Sequence, residues 1–235
     1  SGWRARSSPV LTVPATPIAN GSIAGRIEDA QGRLNLNNLA LASAQGATER
    51  RRVLQLLSAK GADSALLDAI ADWIDADGFP RANGAEDAYY GQRSATALAA
   101  NTPMVRAAEM TSVRGASAQA WAALADGVIA LPTGTALNIN TAQPDVIAAA
   151  IPGLAGDKLA AFIADRARKP FTTMAELRER LPRDVTLPEA ASFVFSSSYF
   201  LVSVRSRQGA AIAQARALLK RDGREWPSVV WQTLE

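Results

Sequence analysis

One short segment of the sequence contains four carboxylates that could bind a metal ion or act as acid and base. They are Asp75, Asp77, Glu86 and Asp87, and the chain between them contains glycine and proline. Like charges this close together repel one another unless a cation or an arginine compensates them. A divalent ion held by oxygen ligands is therefore one prediction for this acidic loop (residues 75–87), with calcium as the candidate.

The spacing of the carboxylates is similar to an EF-hand loop but does not match it. Counted from Asp75, Asp77 and Glu86 fall at positions 3 and 12, where an EF-hand has ligands. Phe79 and Pro80 fall at positions 5 and 6, where that loop needs a ligand and a glycine. The loop is therefore not an EF-hand, and a calcium site here would have a different geometry.

Two other interpretations of the acidic loop remain open from the sequence alone. The carboxylates could be solvated, with Arg81 and Arg93 as partners, or they could cap helix N-termini. A glycosidase pair of acid and base needs two distinct environments on either side of a sugar. One tight loop is a poor way to provide them, so this catalytic interpretation is disfavoured.

The absence of cysteine and histidine narrows the possible chemistry. The sequence contains neither residue, which excludes disulfides, thiolate metal sites and cysteine nucleophiles. It also excludes Ser-His-Asp triads and imidazole ligands. Any metal must be held by oxygen, which leaves calcium and magnesium as candidates.

The length and composition predict a globular chain of one elaborated domain or two small ones. It has 235 residues, of which 48% are hydrophobic and 20% charged, a balance typical of a protein with a core. The net charge is +3, from 25 basic and 22 acidic residues. The basic residues are mostly scattered arginines, and their one run, at 50–52, is weak evidence for a nucleic-acid surface. No segment approaches the 18 or more apolar residues of a membrane span.

The apolar pattern predicts strands at both ends of the chain and helices between them. Residues 1–21 are rich in proline, serine and threonine, which predicts an extended leader. Residues 22–37 alternate around a turn, which predicts a β-hairpin with Leu34 and Leu36 facing the core. Residues 38–188 have helical spacing. Helices are expected at 49–60, 64–74, from Thr102-Pro103 onwards, and at 116–125, 144–150, 157–167 and 174–181.

After residue 188 the alternation of period two returns. Strands are expected at 199–207, 211–221 and 228–234, joined by turns into a meander. An isolated hairpin at 22–37 would be only marginally stable. We therefore expect an α+β protein in which residues 22–37 and 189–235 form one small antiparallel sheet, interrupted by an all-α domain at 38–188. Two unrelated β-pieces flanking a helical domain are the alternative.

Residues 137–181 resemble the helix-hairpin-helix module of DNA-binding proteins. In that module, backbone N–H groups of a glycine-rich hairpin hold a DNA phosphate. Here Ala155 stands where the second hairpin glycine is usual, and Asp157 adds a negative charge. Both differences weaken phosphate binding. The segment is therefore either a DNA-binding module or, in the interpretation we favour, a purely structural pair of helices.

Five sequence segments, taken together and in order, are similar to the motifs of one protein family. Any one of these segments alone would be too short to be specific. They are residues 26–37 (RIEDAQGRLNLN), 71–77 (ADWIDAD), 84–90 (GAEDAYY), 137–142 (LNINTA) and 198–200 (SYF). Together they resemble the minor pseudopilin K family of the bacterial type II secretion system, across about residues 22–222.

The resemblance implies a pilin-like domain whose small sheet carries the inserted helical domain. It also implies an inner-membrane precursor, processed by a prepilin peptidase, with these residues in the periplasm and a long N-terminal helix outside this chain. The implied role is architectural and not enzymatic. With pseudopilins I and J, and through them H and the major pseudopilin G, the protein would form the tip of the pseudopilus. There it would prime and cap the filament that drives folded exoproteins through the outer membrane.

The resemblance also implies the identity and ligands of a metal. Members of the family bind calcium in the helical domain. On the matching motif this assigns calcium to Asp75, Asp77, Glu86 and Asp87, with Asn101 as a further oxygen ligand. It implies no catalytic residue and no other cofactor.

Overall fold

The computed structural model describes residues 10–94, 97–187, 193–223 and 225–234, which contain nine strands and seven α-helices. The strands are β1 (Val10–Ile18), β2 (Gly21–Asp29), β3 (Leu34–Asn35), β4 (Val128–Ile129), β5 (Leu137–Asn138), β6 (Phe193–Val194), β7 (Tyr199–Gln208), β8 (Ala211–Lys220) and β9 (Ser228–Leu234). The helices are α1 (Ala44–Ala59), α2 (Leu66–Ile74), α3 (Asp87–Arg93), α4 (Ala118–Leu124), α5 (Pro144–Ala150), α6 (Gly156–Arg168) and α7 (Met174–Glu179). Three 3₁₀ helices lie at Ala30–Gly32, Leu36–Ala40 and Ala107–Ser112.

One five-stranded antiparallel sheet joins the two ends of the chain. Its strand order is β1-β2-β7-β8-β9, and each neighbouring pair is antiparallel. The three C-terminal strands form the predicted meander. The pairing of β2 with β7 confirms that the terminal β-segments form a single sheet interrupted by a helical region.

The helical region leaves and re-enters the sheet at the same end. Asp29, the last residue of β2, lies opposite Phe200 at the start of β7. The turns that join β1 to β2 and β7 to β8 lie at the other end, where the Gly209 N–H donates to the carbonyl of Asn20 at 3.3 Å. The inserted residues therefore form a body at one end of the sheet, here called the helical domain (residues 30–198).

The helical domain has its own apolar core. Helix α1 buries Val53, Leu56 and Leu57, a spacing that places them on one face of the helix. Helix α2 adds Ile70 and Ile74, and the buried residues of α5 complete the same cluster. No helix in the described part of the chain is both long and apolar enough to cross a membrane.

Asparagine side chains hold the irregular segments of this domain together. The Asn37 amide donates to the carbonyls of Met104 and Leu131, both at 2.9 Å, and accepts the Met104 N–H at 2.8 Å. Asn140 does the same with Phe171, donating to its carbonyl at 2.8 Å and accepting its N–H at 2.9 Å. Because a buried backbone group needs a partner, these amides replace hydrogen bonds that a longer sheet would supply.

Asp29 ties the sheet to the helical domain. Its Oδ2 accepts from Thr141 Oγ1 at 2.6 Å, Ser197 Oγ at 2.7 Å and Asn138 Nδ2 at 2.9 Å, and its Oδ1 accepts from the Gln31 N–H at 2.8 Å. The side chain is buried. Burial raises the pKa of this carboxyl above its usual value, although the four hydrogen bonds oppose the shift. One carboxylate thus joins the start, middle and end of the insertion.

The prediction of an extended leader is wrong for residues 10–18. These residues form β1, an edge strand that pairs with β2. Pro14 and Pro17 lie within it, where an edge strand tolerates a missing N–H on its open side. The ladder also shifts register between Val13 and Thr16. Residues 19–20 of the predicted leader form the turn that follows β1, Gly21 begins β2, and residues 1–9 lie outside the described residues.

The predicted hairpin at 22–37 is also wrong. Strand β2 pairs with β1 and β7, whereas β3 pairs in parallel with β4 inside the helical domain. Leu34 and Leu36 are buried as predicted, but in the core of the helical domain. The insertion therefore begins directly after Asp29 and not at residue 38.

Two further boundaries differ from the predictions. Strand β6 pairs with β5, so Phe193 and Val194 belong to the helical domain and not to the sheet. The helix expected from Thr102-Pro103 is a 3₁₀ helix at Ala107–Ser112. The predicted boundary at residues 188–192 lies outside the described residues.

Replacing Asp29 by alanine should destabilise the fold by about 3 kcal/mol, because it leaves several buried donors without an acceptor. Urea unfolding followed by circular dichroism measures this difference. Asp222→Ala, at an exposed carboxylate in a turn of the sheet, is the control and should cost less than about 1 kcal/mol. Equal effects of the two substitutions would show that Asp29 does not join the domains.

Candidate metal centre

The acidic loop connects two helices of the helical domain. Helix α2 ends at Ile74 and α3 begins at Asp87, so the carboxylates at 75 and 86 stand at the two ends of the connection. The structure brings one ligand oxygen from each of Asp75, Asp77 and Glu86 to within 4.8 Å of one another. Three of the four predicted carboxylates therefore converge on one point.

Several oxygen atoms of these carboxylates and of nearby Asn101 are buried without a hydrogen-bond donor. They are Asp75 Oδ1, both carboxylate oxygens of Glu86, and Asn101 Oδ1. Asn101 is held beside the end of α2, because its N–H donates to the Trp73 carbonyl at 3.0 Å. A buried acceptor without a partner costs free energy. Such oxygen atoms are the ligands that a hard divalent cation takes.

Glu86 is buried in an unfavourable electrostatic environment. Its side chain is only 5% exposed. Burial, together with repulsion from Asp72, Asp75, Asp77 and Asp87, raises the pKa of Glu86 to about 7. The site therefore carries more negative charge than the surrounding protein compensates.

Arg81 compensates one side of the loop. The guanidinium of Arg81 donates to the carboxylates of Asp72 and Asp75. The backbone N–H of Arg81 donates to Asp72 Oδ2 at 3.0 Å. The alternative in which Arg81 is a partner of the carboxylates is thus correct for Asp75. Arg93 instead contacts Tyr89, with its guanidinium carbon 5.9 Å from the ring centroid and its Nη1 donating to the Tyr89 hydroxyl at 3.3 Å. No comparable cation pairs with Glu86 among the described residues.

Asp87 does not join the three converging carboxylates. Its Oδ1 accepts the N–H of Ala99 at 2.9 Å, which positions the segment that carries Asn101. Asp77 is exposed, and its Oδ1 accepts the N–H of Phe79 at 2.9 Å. The chemistry of the converging oxygens of Asp75, Asp77 and Glu86 fits a hard divalent cation, and the unpartnered Asn101 Oδ1 is a further oxygen of the same kind.

Two residues that shape the site were not singled out in the sequence. Asp72 is fully buried and lies one helical turn before Asp75, a spacing that could have revealed it. Gly84 lies against it, since a Cβ at position 84 would be 1.7 Å from Asp72 Oδ2. The Gly84 carbonyl accepts from Arg114 Nη1 at 2.8 Å. Only a glycine allows the loop to approach this carboxylate so closely.

The segment that resembles a helix-hairpin-helix module does form two successive helices. Helix α5 ends at Ala150, and α6 begins at Gly156 after a turn in which Gly153 has a φ of 84°. Asp157 lies in the first turn of α6, where a carboxylate repels phosphate. Lys158 pairs with Asp184. The prediction of a helical pair is confirmed, and these contacts favour the structural interpretation over DNA binding.

Comparison with known proteins identifies the family. Two family models, both described as type II secretion system (T2SS), protein K, match residues 32–133 and 137–191. These matches cover most of the chain. The chain belongs to the type II secretion system protein K family. Family membership makes it a minor pseudopilin of the type II secretion system, a class of structural secretion proteins.

Individual relatives agree with the family models. The type II secretion system protein K of Aeromonas hydrophila is 31% identical over 225 residues, covering 87% of this chain and 67% of the relative. The protein K of Pectobacterium carotovorum subsp. carotovorum is 27% identical, covering 89% of this chain and 69% of the relative. The chain thus spans about two thirds of the length of these relatives.

A solved structure shares the fold. It is the crystal structure of the GspK-GspI-GspJ complex from the type 2 secretion system of enterotoxigenic Escherichia coli. The match has a TM-score of 0.72 at 23% identity and covers 95% of this chain and 83% of the other. The expected α+β fold, a small sheet with an inserted helical domain, is therefore confirmed.

Gly84→Ala should destabilise the helical domain by about 3 kcal/mol, because the added methyl group would collide with a buried carboxylate held by Arg81. Gly78→Ala is a control in the same loop, since a Cβ there meets nothing within 4 Å. Thermal unfolding followed by circular dichroism distinguishes the two. A Gly84→Ala protein as stable as Gly78→Ala would contradict the close approach.

Proposed function

We propose that the protein is the structural subunit at the tip of the type II secretion pseudopilus, where it initiates and caps the filament that drives export of folded exoproteins. The observation that carries this proposal is the insertion of a whole helical domain between two adjacent strands of the sheet, β2 and β7. Membership of the protein K family supports it.

The position of the insertion gives the subunit two different ends. The end of the sheet at Asp29 and Phe200 carries the helical domain, whereas the end at Asn20 and Gly209 carries only tight turns. A filament grows by stacking similar subunits end to end. A subunit whose one end is covered by a bulky body can receive a neighbour only at the other end, which is what a cap requires.

The helical domain is fixed on the sheet and is not tethered by a loose linker. Gln31 donates to the Ala136 carbonyl at 3.0 Å, and its Oε1 accepts the Ser198 N–H at 2.7 Å. These bonds add to the four made by Asp29. They link the place where the chain leaves β2 for the helical domain to the place where it returns to β7. A rigid attachment keeps the covered end covered, so no swinging motion would expose it.

The proposed role needs partners and a compartment but no catalysis. The structural relative was solved as a complex of GspK with GspI and GspJ. We therefore infer that this protein assembles with pseudopilins I and J of its own system, and through them with H and G. We infer that the domain lies in the periplasm, on a protein held at the inner membrane. The absence of cysteine and histidine from the sequence is compatible with a purely architectural subunit.

The purified chain should form a complex with the soluble domains of pseudopilins I and J at micromolar concentrations, because an interface of standard size gives affinities in this range or tighter. Size-exclusion chromatography with light scattering measures the mass of the complex. The major pseudopilin G domain alone is the control and should not bind directly. A failure of I and J, separately and together, to shift the elution would refute the proposed assembly.

The tip position predicts where the helical domain is found. A gold label on an exposed residue of this domain, such as Arg178 changed to cysteine, should mark one end of each pseudopilus. Labelling should succeed in spheroplasts and fail in intact cells, as expected for a periplasmic domain. Electron microscopy reads the positions, and labels distributed along the shaft would show that the subunit is not a cap.

We also propose that calcium binds at Asp75, Asp77, Glu86 and Asn101. The converging carboxylates, the buried oxygens without donors and the raised pKa of Glu86 support this. When bound, the ion would supply positive charge and oxygen coordination. The protein residues would then hold α2, α3 and the segment before the Ala107–Ser112 helix in one arrangement.

Calcium at 100 times its dissociation constant should raise the melting temperature by roughly 5–10 °C relative to EGTA, since binding to the native state adds about 2.7 kcal/mol. Glu86→Gln should abolish most of this shift by removing a charged ligand. Glu179→Gln, at an exposed position of α7, should retain it. Identical melting curves with calcium and EGTA, together with no metal by mass spectrometry, would refute the site.

A further inference from the structure

A cleft of about 460 Å³ lies between the sheet and the helical domain. The sheet contributes Arg216 and Trp231 to its walls, and the helical domain contributes Arg106, Trp121 and Ile129. Such boundaries between two bodies of a protein are frequent ligand sites, because they offer concave surface that neither body offers alone.

The cleft carries an excess of positive charge. Its walls contain four arginines and two carboxylates, which leaves two positive charges in excess; they are Arg26, Arg33, Arg106, Arg216, Glu28 and Asp126. Glu28 is already shared, accepting from Arg26 Nε at 2.9 Å and from Arg33 Nη2 at 2.6 Å. Asp126 is the other carboxylate of the cleft, and it forms no ion pair with Arg106 or Arg216 among the described residues.

These two arginines have no ion pair within the described part of the chain, and both are exposed. The cross-strand neighbours of Arg216 are Ser203 and Thr233, which carry no charge. The acidic residue closest in sequence to Arg106 is Glu109, whose carboxylate accepts the N–H groups of residues 105 and 106 at 2.9 and 2.8 Å. Neither guanidinium therefore makes an ion pair with a carboxylate in the part of the chain that the structure describes.

Two tryptophans stand beside these charges. Trp121 and Trp231 are half-buried, and the indole N–H of Trp231 has no acceptor among the described residues. Apolar floor is supplied by Ile129 and Leu201. Tryptophan and arginine together dominate the binding energy of protein interfaces, because one supplies apolar area and the other pairs with carboxylates.

We propose that this cleft binds an extended acidic peptide segment of another protein. A carboxylate of the segment pairs with Arg106 and Arg216, and a neighbouring aromatic or aliphatic side chain packs on Trp121 and Trp231. Nucleic acid fits less well, because its binding requires a basic stripe that follows the phosphates, whereas this charge is confined to one cleft. This proposal does not depend on the position of the subunit in the filament.

The test uses three short peptides and the indole N–H signals of the ¹⁵N-labelled chain. The probes are acetyl-Asp-Phe-Glu-amide, its neutral analogue acetyl-Asn-Phe-Gln-amide, and acetyl-Asn-Phe-Gln with a free C-terminus. At low salt the acidic peptide should shift the Trp121 and Trp231 signals saturably, with a dissociation constant of about 0.1–5 mM. The third probe shows whether a chain-terminal carboxylate serves as well as a side-chain one.

Matched variants identify the groups responsible. Arg106→Gln with Arg216→Gln should weaken binding at least tenfold, whereas Arg178→Gln with Arg183→Gln, two exposed arginines outside the cleft, should leave it unchanged. No saturable shift up to about 10 mM, equal binding of the acidic and neutral peptides, or equal losses in both double variants would each overturn the proposal. The tip position is tested separately. If the protein with Arg106→Gln and Arg216→Gln still binds pseudopilins I and J, the tip proposal stands whatever the peptides do.

Discussion

The carboxylate of Asp29 is the interaction on which the arrangement of this protein depends. It is the last residue of a sheet strand, and it accepts hydrogen bonds from residues at the start, the middle and the end of the insertion. A buried carboxylate is stable only when its oxygens are satisfied. Without it the Gln31 N–H and the Ser197 hydroxyl would lose their acceptor, whereas Asn138 Nδ2 also donates to Ser197 Oγ at 2.8 Å. The sheet and the helical domain therefore each complete the other. This mutual requirement fixes the helical domain on the sheet.

At the candidate metal centre, in contrast to Asp29, buried carboxylate oxygens have no hydrogen-bond donor. Arg81 pairs with Asp72 and Asp75, but Glu86 is buried beside them with a raised pKa and no donor. The sequence could predict the acidic loop, because its charges are adjacent along the chain. It could not predict that Asp87 would turn to the backbone of Ala99, since that contact depends on the path of a segment twelve residues away.

The larger errors at the level of the fold have physical causes. Alternating Leu34 and Leu36 predicted strand, but the asparagines between and after them hydrogen-bond to distant backbone and draw this segment into the helical domain. Proline at 14 and 17 concealed the first strand, because proline is excluded from central strands and tolerated only at edges. The helices were predicted more accurately, since caps such as Thr173, which accepts the Glu176 N–H at 3.1 Å, act locally. Long-range pairing leaves no such local signal.

The place of the insertion also constrains the order in which the chain folds. Strands β7, β8 and β9 can pair through short turns, and so can β1 and β2. The contact between Asp29 and Phe200 instead closes a loop of about 170 residues. The chain must lose the conformational entropy of this loop before it gains the stabilisation of the strand pairing. A folded helical domain holds its two ends together and shortens that search. Completion of the sheet is thereby coupled to completion of the helical domain, so a chain whose helical domain misfolds also lacks a finished sheet.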